Sequence, residues 1–365
     1  MKRFLLLAIC SCLGYVAQAQ VVSLSDAEVS KLKKLIKLDP TVAQQWEDLL
    51  TTANQSLTAT PNPADTILTE GILQGNPRKT KTWKSLEDMQ KIYTLSLAFK
   101  ITGEQKYLGK ATDFLSAWAK GNTPMGNPIN DTNLDRIIFS YDLLKSDLSK
   151  DINASVTSWL AEVASQEIKS YDKASKGAGK THYNNWNSHR IKVVTSIAYA
   201  INNEELKSWA RSAYQQQILR NLLPDGSSFD FHERDALHYH IYDVDPLLVT
   251  AITLSRDQTA SAHPYTYRPA TGSSLKKSIA WLIPFFTGEK THQEWVNSKS
   301  AFDKKRADNG EKGYIAGTLF KPDEARTSIA LASFFEPELL IIYQQQTKST
   351  SKYPTWQFVL NAVKR

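Results

Sequence analysis

The chain has 365 residues, 44 Lys and Arg against 37 Asp and Glu for a formal net charge of +7, and only two cysteines. Without Lys2 and Arg3 the charge is +5, so the chain favours polyanionic partners, yet no zinc-finger, RNP or GxxxxGK pattern points to nucleic acid. Cys10 and Cys12 both lie in the first twelve residues, which excludes thiolate nucleophiles, Cys-type zinc sites and disulfides from the rest of the chain.

Lys2-Arg3, the apolar run Phe4–Val16 and Ala17-Gln18-Ala19 have the layout of a secretory signal peptide cleaved after Ala19. The run is too short to cross a bilayer, and no later stretch reaches the roughly 20 apolar residues a spanning helix needs. Leu7-Ala8-Ile9-Cys10 loosely matches a lipoprotein acylation box but would leave too short a leader. The expectation is an exported, soluble, periplasmic or extracellular protein with residues 20–365 as one domain, a monomer without a membrane or nucleic-acid partner.

Apolar residues recur at three-to-four spacing through Thr82–Thr102, Gln105–Lys120, Leu134–Leu148 and Ile152–Tyr171, the period of amphipathic helices. Trp186–Ile201, Glu204–Leu222, Val244–Leu254, Ser274–Phe286 and Pro322–Gln344 continue it. Ser85-Leu-Glu-Asp88 reads as a capping box and Pro322 as a first-turn residue. Thr102-Gly103, Gly121-Asn122 and Gly288 read as stops. The strand signal is confined to pieces such as Tyr265-Thr-Tyr-Arg268. Paired helices with short connections and no strict repeat predict an all-α toroid, an incomplete barrel of stacked helical hairpins, over an open solenoid.

Two polar aromatic stretches interrupt this pattern. In Thr181–Arg190, a helix starting near Asn184 or Asn185 puts Asn185, His189 and Trp186 on one side of its first turn. Free backbone N–H groups there suit an anion, although Asn184 as a plain cap and Trp186 as core is the simpler alternative. In Pro224–Tyr242, three of the seven histidines, two tyrosines and Arg234 fall within eleven residues. His238 and Tyr242 converge whether the backbone is extended or helical. His238-x-His240 with Asp235 or Asp243 is a weak metal pattern, short of the three ligands typical of catalytic zinc, and no metal or other cofactor is expected.

Asn184-Asn185, then Asp225-Gly-Ser, then Ala236-Leu-His-Tyr-His-Ile-Tyr242 resemble the alginate lyase superfamily of helical toroids, and Tyr93–Tyr107, Trp118-Ala119 and Tyr141–Leu144 are similar to its N-terminal hairpins. The likeness covers roughly residues 85–255 and is nearest the polymannuronate and glucuronan lyases. It implies an acidic polysaccharide substrate cleaved by β-elimination, with Tyr242 as proton shuttle and Asn185, His189 and Arg234 neutralising the uronate carboxylate. The substrate contacts implied are Asn184, Trp186, Arg190, His238, Tyr239, His240 and Arg268. Two positions depart from the pattern: Trp186 stands where a histidine often follows Asn-Asn, leaving His189 a turn later, and Asp235 replaces the usual arginine, with Arg234 one position earlier.

Tyr267 and the Lys304-Lys305-Arg306 run are further subsite candidates, the run reading equally as a solvated charge cluster; Trp281 and Trp295 read as core. A helical-toroid glycoside hydrolase would need two carboxylates, from Asp230, Glu233 or Asp235. A non-catalytic glycan binder would use the aromatics as platforms.

Overall fold

A computed structural model describes residues 20–257 and 263–365. The leader reading, with Cys10 and Cys12, falls outside them. The first helices are α1 (Asp26–Leu38) and α2 (Pro40–Ser56), followed by α3 (Pro77–Thr102), α4 (Gln105–Gly121), the short α5 (Pro128–Asp131), α6 (Asp135–Leu144) and α7 (Lys150–Ser175). Then come α8 (Asn185–Ala200), α9 (Glu204–Asn221), α10 (Phe229–Arg234), α11 (Leu237–Ser255) and α12 (Leu275–Phe286). The strand pair β1 (Gln293–Glu294) and β2 (Thr318–Leu319) encloses α13 (Ala301–Asp308), and α14 (Arg326–Ala332), α15 (Leu339–Thr347) and α16 (Trp356–Lys364) complete the chain.

The inner helices pack in the order α3, α6, α8, α11, α14, and α16 returns through α1 and α2 to α3. Outer helices α4, α7, α9 and α12 cover them. This is the predicted helical toroid. Two apolar clusters fill it, one around α2–α7 and one around α9–α15. Val22, Leu206, Trp209 and Tyr353 pack against both.

The inner position of α8 dictates its chemistry. All of its residues except Trp186 are buried, so each polar side chain needs a partner inside the protein. Asn187 donates to Gln217 Oε1 (2.7 Å), Ser188 to Asp243 Oδ1 (2.5 Å) and Arg190 Nε to Glu167 Oε2 (3.2 Å), and Lys192 pairs with Asp135.

Several sequence expectations need correction. The capping box at Ser85–Asp88 is helix interior, because α3 starts at Pro77 behind an Asn76 cap. Asp88 is buried there, accepting from Asn62 N (2.7 Å) and Trp118 Nε1 (3.1 Å). The single helix expected over Pro322–Gln344 is a 3-10 turn at Pro322–Ala325 followed by α14 and α15, the break ending at Pro337, which cannot donate a helical N–H. Tyr265 lies in a 3-10 turn, Pro264–Thr266, rather than a strand. Helix α11 begins seven residues before the expected Val244.

The Asp225-Gly226-Ser227 turn returns the chain from α9 to α10 with Gly226 at φ 100°. A Cβ on Gly226 would sit 2.5 Å from Lys277 O and 2.7 Å from Trp281 Cβ. Gly226→Ala should therefore cost about 1–3 kcal/mol or more, from positive-φ strain plus the clash, and thermal denaturation checks it. An unchanged Tm would show that α12 yields without penalty.

Candidate active site

Helices α8 and α11 both point their N-termini into one cleft of about 720 Å³. Asn184 caps α8 by accepting from Trp186 N (3.1 Å), and Asn184, Asn185 and Trp186 line the cleft. Asn185 is buried, and its amide donates to Asp230 Oδ1 (2.6 Å). Asn221 donates to the other oxygen of Asp230 (2.7 Å). Burial raises the Asp230 carboxyl to about 6 against these bonds. Burial, with the Asp230 charge next, pushes the neighbouring Asp243 well above the usual carboxylate range. This polar bed under Asn185 fixes how its amide faces the cleft.

Helix α11 supplies His238, Tyr239 and Tyr242 to the cleft. Its first turn has no side-chain cap of its own. Glu294 reaches over from β1, accepting from Leu237 N (2.8 Å) and His238 N (3.0 Å), and burial holds its carboxyl up at about 7. The His238 and Tyr242 rings stack one turn apart, with centroids 6.2 Å apart at 10°.

Tyr242 makes no hydrogen bond through its hydroxyl among the described residues, which leaves that oxygen free in the cleft. Burial raises its pKa, and the Tyr239 and Tyr314 phenols add to this; Arg306 is the cation that opposes it.

His189 sits beneath Tyr242 rather than in the cleft, with ring centroids 4.2 Å apart. Its Nδ1 pairs with Thr132 Oγ1 (2.8 Å), while Nε2 makes no well-formed hydrogen bond among the described residues. Burial lowers its pKa well below the ordinary value, Lys192 adds to this, and the Tyr242 backbone carbonyl acts the other way. That carbonyl lacks its helical donor because Pro246 stands four residues on. A buried neutral imidazole there can set the position of Tyr242; it is not placed to meet a substrate carboxylate.

Arg234 does line the cleft but is committed twice. It forks onto Asp303 of α13, with Nε to Oδ2 at 2.6 Å, and its guanidinium lies 3.6 Å from the Tyr239 ring centroid. Lys305 and Arg306, on the same helix as Asp303, both line the cleft with no carboxylate partner among the described residues, and the one engaged with the aromatic rings is Arg306. It donates to Tyr239 OH (3.1 Å) and lies 4.5 Å from the Phe302 and Tyr314 rings. Lys305, Tyr314 and the half-exposed Trp83 complete this wall. The Lys304–Arg306 run is thus partly cleft and partly solvated, since Lys304 does not line it.

Three sequence assignments move away from the cleft. Arg190 is buried, with its guanidinium on Glu167, Thr181 O (3.1 Å) and Asn187 Oδ1 (3.2 Å). His240 faces the opposite side of α11, between Ser228 Oγ (3.1 Å) and Ser278 O (3.3 Å) and against Trp281, and burial lowers it to about 4. His238 and His240 therefore cannot hold one ion. Arg268 is exposed beside Gly272, and neither it nor Tyr267 lines the cleft. Trp295 is buried under His238 and Tyr239, and Trp281 packs into the second apolar cluster.

The hydrolase alternative finds no carboxylate pair. Asp230 is buried on Asn185 and Asn221, Glu233 holds Lys180 and Lys299 (3.1 Å), and Asp235 accepts from Asn297 (2.8 Å). Glu70 is the one carboxylate among the cleft-lining residues, where two are needed.

The family model described as alginate lyase matches residues 36–292. No curated protein matches the sequence. Among solved structures, an alginate lyase from Bacteroides ovatus shares 20% identity at a TM-score of 0.64, covering 90% of this chain and 96% of its own. Alginate lyase A1-III from Sphingomonas species A1 shares 20% identity at a TM-score of 0.54, over 75% of this chain and 80% of that one. A variant of A1-III complexed with a tetrasaccharide gives 20% identity and a TM-score of 0.55, over 76% and 80%. At such identities the structural likeness speaks for the toroid, and the family match over most of the chain speaks for the chemistry. The chain belongs to the alginate lyase family and is a polysaccharide lyase.

Proposed function

We propose that the chain is exported and cleaves a β-1,4-linked polyuronate, polymannuronate first and glucuronan second, by syn β-elimination. The observation that carries this reading is the Tyr242 hydroxyl, free among the described residues, in a cleft whose described lining holds the Asn185 amide, Arg306 without an ion-pair partner and a single carboxylate. The C5 proton of a uronate is weakly acidic, so its carboxylate must be offset before a carbanion can form. Asn185 and Arg306 supply that offset, with Arg234 held in reserve by Asp303. This assignment replaces His189, which becomes a positioning residue under Tyr242.

Tyr242, ionised with the help of the Arg306 charge, then takes the C5 proton as the C4–O4 bond breaks, and the resulting phenol returns it to O4 on the same face of the sugar. β-Mannuronate and β-glucuronate share their configuration at C4 and C5, so one site serves both. Trp83, Trp186 and Tyr314 offer faces for neighbouring rings. Purified protein mixed with polymannuronate should give a product absorbing near 235 nm, the signature of the new C4–C5 double bond. Silence on polymannuronate, glucuronan and polyguluronate alike would overturn the reading.

The role of Arg306 has its own test. Its positive charge favours the ionised phenol, so removing it raises the Tyr242 pKa further. Arg306→Gln should move the acid limb of the pH–rate profile to higher pH and raise KM for the polymer by about tenfold. An unmoved limb would assign that charge elsewhere.

A further inference from the structure

Roughly 16 Å along α8 from Asn185, at the level of Ser196, the inner helices and α16 enclose a second cavity of about 390 Å³. None of its lining residues belongs to the cleft. Two cations face it without an ion-pair partner among the described residues. Arg136 makes no hydrogen bond or ion pair through its guanidinium among the described residues and lies 5.5 Å from the Tyr93 ring. Lys364 spends one of its three donors on Val22 O (3.0 Å) and lies 5.5 Å from the Phe139 ring.

The carboxylates near them are already engaged. Asp135, in the cavity wall, pairs with Lys192; Glu28 pairs with Arg256; Asp142 pairs with Lys145 (2.8 Å). Burial, with Arg256 next, lowers the Lys364 ammonium to about 7, with Glu28 and Asp142 opposing. An ammonium kept in such a place is one a bound anion would satisfy.

The rest of the wall suits a sugar. Trp356 Nε1 donates to Tyr93 OH (2.7 Å), and Tyr93 packs on Phe139 (5.3 Å), so a fixed aromatic surface stands beside the cations. Gln90 and Gln357 bring amides to the same space. The volume of about 390 Å³ lies at the small end of small-molecule pockets, about 300–1,000 Å³, which fits a mono- or disaccharide.

We propose that this cavity binds a short uronate sugar, its carboxylate set between Arg136 and Lys364 and its ring against Tyr93 and Trp356. The choice of a uronate rests on the polyuronate reading of the cleft, because such a lyase is bathed in short uronates. The cavity itself stands apart from that site.

The test is calorimetric titration of D-glucuronate, with D-glucose as the neutral control, into the full chain and into Arg136→Gln, Lys364→Met and Arg306→Gln. Glucuronate should bind saturably to the wild type and to Arg306→Gln, and about tenfold or more weakly to Arg136→Gln and Lys364→Met. Glucose should bind none of them comparably. Arg136 is exposed at the rim, so its loss leaves the fold intact and the comparison readable. Absence of binding to the wild type, equal binding of glucose, or loss in Arg306→Gln with retention in Arg136→Gln would each overturn the proposal. A failure of the lyase reading is seen separately, as silence at 235 nm, because the sugar is supplied directly.

Discussion

Tyr242→Phe should lower turnover of the polyuronate substrate by roughly 10²–10⁴-fold, the range for removing a positioned acid–base group, with Tm and polymer affinity close to wild type. The split follows from geometry. The hydroxyl has no partner among the described residues, so its removal breaks no bond between them. The ring keeps its packing on His189 and His238. Initial rates at 235 nm, with a melting curve on the same sample, provide the check. A variant retaining activity within about threefold of wild type would remove Tyr242 from the chemistry.

Arg190→Ala should lower stability by about 3–5 kcal/mol, because it strands a buried carboxylate without its cation. For a protein of this length that corresponds to roughly 4–7 °C in Tm. Glu167 is fully buried, and burial together with Asp131 already pushes its pKa well up; Arg190 is what opposes them. Without the arginine its pKa rises further, so the deficit should be largest at alkaline pH and shrink as falling pH protonates Glu167. Thr181 O also loses its donor, loosening the segment that delivers Asn184 and Asn185. Had Arg190 touched substrate, as its place in the motif implied, the same change would raise KM and leave Tm alone. Denaturation at two pH values with steady-state kinetics separates the two.

The contrast between Arg190 and Asn185 shows how far a motif can be read. Five residues along a helix is about 140° away from the starting face, so the two cannot share the cleft, and the spacing contained that information. The same reasoning separates His240 from His238 and Tyr242, once α11 is known to begin at Leu237. That start was hidden because its capping carboxylate, Glu294, comes from 57 positions away. By contrast, Ser25-Asp-Ala-Glu28 carries a capping box in the sequence itself, and it does start α1.

Arg306 was visible only as part of a basic run. Its role depends on Phe302 one turn earlier, on Tyr314, and on Asp303 taking Arg234 out of competition. The ring of helices was legible from the 3.6-residue period alone, apart from α1, α2, α13, α16 and the short α5 and α10. The cavity closed by α16 leaves no mark in any local pattern, because its walls come from seven helices and the N-terminal segment.

The segment carrying Asp303, Arg306 and Tyr314 begins and ends at one place, since Gln293 pairs with Leu319 and Glu294 with Thr318. It lies beyond residue 292, where the family match stops. A piece of chain whose two ends are neighbours can lengthen, shorten or be exchanged without disturbing the helices it leaves. The toroid therefore works as a chassis that holds Tyr242 and Asn185, while the facing wall with Arg306 and Tyr314 rides on a cassette that can be exchanged by itself.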